Sequence, residues 1–127
     1  AELLVVGDSD SLMFPRELQK FTTRKIFGKG GIKVNFLVNY GWEWDLNNLK
    51  LADASQKNIT NHIKSFDVSR VDLIIRWGGR RRLSGFLPVQ SIYSDFYVLE
   101  EYWPDFMPEH FYNALKWYKE QDVTLGC

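Results

Sequence analysis

Three short apolar runs, each cut off by a glycine-bearing polar loop and kept apart by long polar stretches, constrain this chain more than any other feature. Leu3-Leu4-Val5-Val6 stops at Gly7-Asp8. Ile32 to Val38, apolar at Ile32, Val34, Phe36 and Val38, ends in Asn39-Tyr40-Gly41. Val71 to Ile75 runs into Arg76-Trp77-Gly78-Gly79. Runs of this length bounded by turn residues read as strands. Between them Pro15 opens a helix reaching to about Phe27, because proline suits a first helical turn and Gly28-Lys29-Gly30-Gly31 is an emphatic stop. The polar stretch from about Leu46 to Phe66 reads as helical in part. A short helix is expected from Leu87-Pro88 to about Asp95, then an edge strand from Phe96 to Leu99. Pro108 opens the last helix, with Phe111, Leu115 and Tyr118 on one face, suited to core or subunit contact.

Strands that alternate with helical stretches imply an α/β fold with a mostly parallel sheet flanked by helices. Ligands of such sheets bind outside the carboxyl ends of the strands. If the three strands are parallel, Gly7-Asp8, Asn39-Tyr40-Gly41 and the segment RWGGRRRLSG, Arg76 to Gly85, converge on one edge. Four arginines there suit a phosphate or diphosphate, whose oxygens guanidinium groups grip bidentately, and the glycines let backbone N–H groups approach it. The competing reading is a solvated loop whose arginines pair with nearby carboxylates. No GxxxxGK[ST] occurs, which excludes the P-loop route to phosphate.

At 127 residues the chain is the size of one domain. Sixteen basic residues balance sixteen acidic ones, so no whole-molecule field draws nucleic acid or anionic lipid, and the arginine cluster must act locally. No apolar run approaches the roughly 18 residues that span a bilayer, so membrane association is expected to be peripheral at most. The sole cysteine, Cys127, has no partner for a disulfide or for zinc, in keeping with a cytoplasmic, reducing location. His62 and His110 have no companions at metal-ligand spacing and read as surface residues. Aromatic residues reach 16%, and Trp42, Trp44 and Trp77 are open to two readings, core packing or the wall of an apolar channel.

The segment DLIIRWGGRRRLSGFLPVQSIYSDFYVLEEYWPDF, Asp72 to Phe106, resembles the carboxyl-terminal signature of the cis-prenyltransferases, the undecaprenyl diphosphate synthase family. The usual form there has D-L, two hydrophobic residues, R-T-(G/S)-G-E-x-R, a hydrophobic residue, S-N-F-L-x-W-Q, and later W-P-D-F. FLVNYGWEWDL is similar to the family's N-Y-G-G-R-x-D-(I/L), and LLVVGD to its hydrophobic-I-G-D strand end. The resemblance implies prenyl transfer between an allylic diphosphate and a second isoprenoid diphosphate, isopentenyl or dimethylallyl. Arg76, Arg82 and Ser84 then fall on positions that hold the second diphosphate. Asp95 falls where a glutamate helps bind Mg2+, and Asn39 matches an asparagine near the reacting groups. A homodimer is implied as well.

Several positions depart from the pattern. Arg80 replaces a glutamate, Gly85 an asparagine, Val89 a tryptophan, and Trp42-Glu43 a Gly-Arg pair. The family's R-x-G, whose arginine reaches the neighbouring subunit's diphosphate, appears as Thr124-Leu125-Gly126. Arg80 is therefore a candidate diphosphate ligand that offsets the lost arginine or marks a different second substrate, in a pattern resembling the irregularly coupling lavandulyl-type branch. The family's M-D-G-N-x-R-x-A half has no counterpart in these residues. Residues 1 to 127 are thus expected to form the carboxyl-terminal half of one cis-prenyltransferase domain, completed by an amino-terminal half or a partner chain and inactive alone. The alternative from a different class is a non-catalytic subunit of a heteromeric prenyltransferase. A third reading, RNA binding by Arg80-Arg81-Arg82 beside aromatic residues, is opposed by the zero net charge and the lack of an RNA-binding motif.

Overall fold

The computed structural model describes residues 1–49 and 59–122. They fall into two compact units, 1–68 and 69 onward. The first holds strands β1 (Glu2–Val6), β2 (Lys25–Ile26) and β3 (Lys33–Leu37) and short helices α1 (Trp42–Leu46) and α2 (Ile59–His62). The second holds β4 (Leu73–Arg76), β5 (Asp95–Val98) and helix α3 (Pro108–Lys119).

In the first unit β1 is the middle strand, antiparallel to β2 and parallel to β3, with Leu4 opposite Asn35 and Val6 opposite Leu37. Leu4, Val5 and Val6 are all buried, which is why the run is continuously apolar and does not alternate. Position 7, directly after the strand, requires glycine because a Cβ there would collide with the Val38 carbonyl.

The helix expected from Pro15 to Phe27 is instead a 3-10 stretch, Arg16–Phe21, followed by β2. The Thr22 hydroxyl bonds back to the Gln19 carbonyl at 2.8 Å and closes the turn. Two residues on, Arg24 is drawn across the unit. Its Nε donates to Asp67 Oδ2 at 2.7 Å and a terminal nitrogen donates to Asn35 Oδ1 at 2.9 Å. A helix could not satisfy those partners and also pair Lys25 with Leu3, so tertiary contacts override the local pattern.

Asp45 on α1 is fully buried. Its carboxylate accepts from the Ser65 amide at 2.7 Å, the Ser65 hydroxyl at 2.7 Å and the Tyr40 hydroxyl at 2.8 Å. A buried carboxylate requires this kind of satisfaction, and here it ties α1 to the segment after α2. Part of the stretch expected to be helical, residues 50–58, lies outside the described residues.

The second unit has one parallel pair, with Leu73 opposite Asp95 and Arg76 opposite Val98. Helix α3 packs on β4, and its one fully buried residue is Ala114. Leu115 and Tyr118 are half-buried, whereas Phe111 is exposed, so the inward face is rotated from the expected one. Between Leu87 and Ser94 the chain forms turns, not the expected helix. Leu87 takes a positive φ of 40°, and the last turn is tied to the strand side: the Val71 amide donates to the Gln90 carbonyl at 2.9 Å, and the Ser94 hydroxyl donates to the Val71 carbonyl. The strand expected from Phe96 begins one residue earlier and pairs along its length with β4. The α/β class expected from the sequence stands, built from two separate sheets that each contain a parallel pair.

Candidate diphosphate site

The arginine segment leaves the carboxyl end of β4, where an α/β sheet presents its ligand-binding edge. Its root is fixed by backbone bonds. The Leu99 amide donates to the Arg76 carbonyl, and the Gly78 and Gly79 amides donate to the Glu101 and Leu99 carbonyls, each at 2.8 Å. Gly78 and Gly79 have φ values of 86° and 68°, the left-handed region in which side chains are strained.

Past this root the chain doubles back, so that both terminal nitrogens of Arg76 lie 3.4 Å from the Ser84 hydroxyl oxygen. Ser84 is itself left-handed, φ 53°, which turns its hydroxyl toward that guanidinium. The contact is at the long end of the hydrogen-bond range. Arg81 is committed, with one nitrogen 3.1 Å from Glu100 Oε1 and another on the Gly79 carbonyl. Arg80 and Arg82 are exposed, and neither has an ion pair or hydrogen bond among the described residues.

Trp77 packs edge-on to Trp103 at 4.8 Å between ring centroids and lies against Phe106 and His110, so it belongs to an aromatic cluster at the start of α3. Trp44 meets the Tyr40 ring edge-on beneath the Lys64 ammonium, while Trp42 is exposed. Contrary to the surface position expected for both histidines, His110 is half-buried; His62 is exposed.

Of the candidate residues, Arg76 and Ser84 are brought into contact, with Arg80 and Arg82 on the same loop. Asp95 is not brought to them. It opens β5 opposite Leu73, three residues before the level of Arg76, about 10 Å along the strands at roughly 3.3 Å per residue. Asn39 lies in the first unit, φ 51°, where its side-chain amide donates to the Asp8 carbonyl at 3.0 Å and the Asp8 amide donates to the Asn39 carbonyl. The loops after β1 and β3 thus converge within their own unit. Thr124-Leu125-Gly126 lie outside the described residues.

As the magnesium ligand that the resemblance implies, Asp95 would supply one carboxylate, and no group of three His, Cys, Asp or Glu among the described residues could hold a metal. Magnesium takes six oxygens, one or two of them from protein carboxylates and others from phosphate and water. The sequence reading missed Asp45 and Glu100. The first lies inside the quoted FLVNYGWEWDL stretch, and the second lies two residues past the end of β5, but neither spacing reveals burial or a partner.

A family model described as "Putative undecaprenyl diphosphate synthase" matches residues 1–126. The chain belongs to the undecaprenyl diphosphate synthase family. Among curated relatives, the ditrans,polycis-undecaprenyl-diphosphate synthase ((2E,6E)-farnesyl-diphosphate specific) of Vibrio parahaemolyticus is 28% identical over 99% of this chain and 56% of its own length. That of Escherichia coli is 30% identical over 98% of this chain and 54% of its own. The chain thus spans about half the length of the curated relatives it matches. Among solved structures, lavandulyl diphosphate synthase from Lavandula x intermedia, in complex with dimethylallyl diphosphate, superposes with a TM-score of 0.76 at 23% identity, covering 98% of this chain and 60% of that one. A probable undecaprenyl diphosphate synthase from Campylobacter jejuni gives 0.71 at 22%, covering 98% and 62%. The cis-prenyltransferase fold is therefore common to all three. Among the described residues no helix of this family member is long and apolar enough to cross a membrane.

Proposed function

We propose that this chain supplies the second-diphosphate site of a prenyltransferase that joins an allylic diphosphate to isopentenyl or dimethylallyl diphosphate. The observation that carries the reading is the Arg76–Ser84 contact on a glycine-fixed loop whose Arg80 and Arg82 have no ion pair or hydrogen bond among the described residues. Two guanidinium groups, a third at the strand end and a hydroxyl match the bidentate, charge-dense demand of a diphosphate. An open groove lined by Phe96, Tyr97, Val98 and Trp117, with Arg81 at its rim, offers apolar wall on the same unit.

In this reaction the allylic C1–O bond breaks and its electron pair leaves with the first diphosphate. The π pair of the second substrate forms the new C–C bond, and a proton is lost from the carbon beside the resulting cation. Arg76, Arg80, Arg82 and Ser84 hold the second diphosphate by preorganised charge, which positions its double bond. Asn39 is assigned a place near the reacting groups. Mg2+ belongs to the reading as a cofactor of the complete assembly only, with Asp95 its single ligand from the described residues, and the working protein is assigned as a homodimer.

Calorimetric titration of the chain with isopentenyl diphosphate, beside Arg76→Ala and Asp95→Asn, tests the proposal. Binding that Arg76→Ala abolishes supports it, and loss of Mg2+ stimulation in Asp95→Asn supports the metal assignment. Absence of binding by the parent chain overturns the diphosphate site and favours a non-catalytic subunit. A Mg2+ response unchanged in Asp95→Asn makes that carboxylate structural.

A further inference from the structure

The first unit contains a cleft that the diphosphate reading does not use. It measures about 450 Å³, within the range of about 300–1,000 Å³ typical of small-molecule sites. Its apolar wall comes from Leu4, Val5 and Val6 of β1 and from the rings of Trp44 and Phe66. Phe66 is 67% exposed, so part of that wall is a large ring left facing water.

Three charged side chains also line the cleft, Arg24, Lys64 and Asp67, and two of them neutralise each other. Arg24 is only 13% exposed and donates to Asp67 at 2.7 Å and to Asn35 at 2.9 Å, while Lys33 brings a second cation to 3.8 Å from Asp67. Lys64 is left over. Its ammonium lies 5.0 Å from the centre of the Trp44 ring, and its side chain has no ion pair or hydrogen bond among the described residues. Contact with a ring face leaves the N–H donors of an ammonium unused. The position of Lys64 is nevertheless fixed. Its backbone amide donates to the Asp45 carbonyl at 3.1 Å, and the residues on either side of it, Ile63 and Ser65, are buried.

We propose that this cleft binds a small monoanion with an apolar body, a medium-chain or aromatic carboxylate, with the Lys64 ammonium meeting the carboxylate and the apolar part lying against β1, Trp44 and Phe66. One uncommitted cation in an apolar cleft matches one negative charge. A dianion would place its second charge beside Asp67, whose own charge is already matched by Arg24 and Lys33, so the cleft selects against the diphosphates that the arginine loop of the second unit would take.

The test uses octanoate, octanol and octylammonium, which share one apolar chain and differ in charge, on the full chain labelled with 15N. Binding is read from the Trp44 indole signal, assigned by its loss in Trp44→Phe. Octanoate should move that signal saturably and at lower concentration than octanol, and octylammonium should bind most weakly. Lys64→Met keeps the stem and removes the charge, so it should weaken octanoate by about tenfold or more and leave octanol unchanged, whereas Lys64→Arg should keep most of the affinity. Equal affinities for octanoate and octylammonium, octanoate binding that survives Lys64→Met, or an indole signal that octanoate does not move would each overturn the proposal. Inorganic pyrophosphate should leave the Trp44 signal in place, and saturable movement by pyrophosphate would overturn the selection for a single charge. None of these outcomes depends on the diphosphate reading, whose residues lie in the second unit.

Discussion

Arg81 and Arg82 are adjacent and carry the same charge, yet the structure assigns them different work, and a matched pair of substitutions exposes the difference. Arg81 is spent on Glu100 at 3.1 Å, whereas Arg82 has no partner among the described residues. Either change to alanine removes one positive charge from one loop, so the long-range attraction for a diphosphate falls equally in both. Only Arg82→Ala removes a contact with the anion. A hydrogen bond to a charged group contributes about 1.5–3 kcal/mol, so inorganic pyrophosphate should bind Arg82→Ala roughly ten- to a hundredfold more weakly. Arg81→Ala should change binding less than about threefold. Its stability loss should stay below about 1 kcal/mol, because both partners of that pair are largely exposed. Glu100→Ala, which frees Arg81 and deletes a competing carboxylate, should tighten binding. Calorimetry at low salt on the three variants is the assay. Equal weakening in Arg81→Ala and Arg82→Ala would show that bulk charge governs the loop and that the distinction between the two arginines is wrong.

Asp45→Ala should destabilise the chain by about 3–5 kcal/mol in urea unfolding, because three hydrogen bonds to a buried carboxylate are lost at once; a change under 1 kcal/mol would deny that role. Gly7→Ala forces a Cβ into the Val38 backbone and should cost about 3 kcal/mol, read as a lowered melting temperature, whereas Gly41→Ala, with open space around the added carbon, should cost far less.

Strand β1 was legible because burial on both faces writes itself as an uninterrupted apolar run, Leu4-Val5-Val6, and because the glycine after it has a steric cause, whereas β2, two exposed residues inside the segment expected to be helical, was not. The two lost helices have causes that lie outside their own segments. Arg24 is committed to Asp67, far along the chain, and the turns after Leu87 are committed to Val71. No local window contains either partner. The same holds at the site. The run of arginines and its place after a strand were readable, but the sequence does not say that Arg81 is neutralised by Glu100 while Arg82 is left available. Asp45 sits in a polar stretch with Glu43, Asn47 and Asn48, and only the fold shows that one of these is sealed from water.

The bonds from Gly78 and Gly79 to the β5 side fix the root of the arginine segment, whereas no backbone N–H from Arg80 to Leu83 has a backbone partner among the described residues. Fixing the backbone of one residue costs about 1–2 kcal/mol, so the anchored root spares a bound anion that cost at Arg76, Gly78 and Gly79 and confines any adjustment to the short tip carrying Arg80 to Leu83. The tip can therefore close on ligands of different shape at a modest entropic penalty, while its origin stays fixed to the sheet. In hydrogen exchange the Gly78 and Gly79 amides should be protected to nearly the same degree as the β4–β5 ladder, and the amides of Arg80 to Leu83 should slow only when pyrophosphate is present.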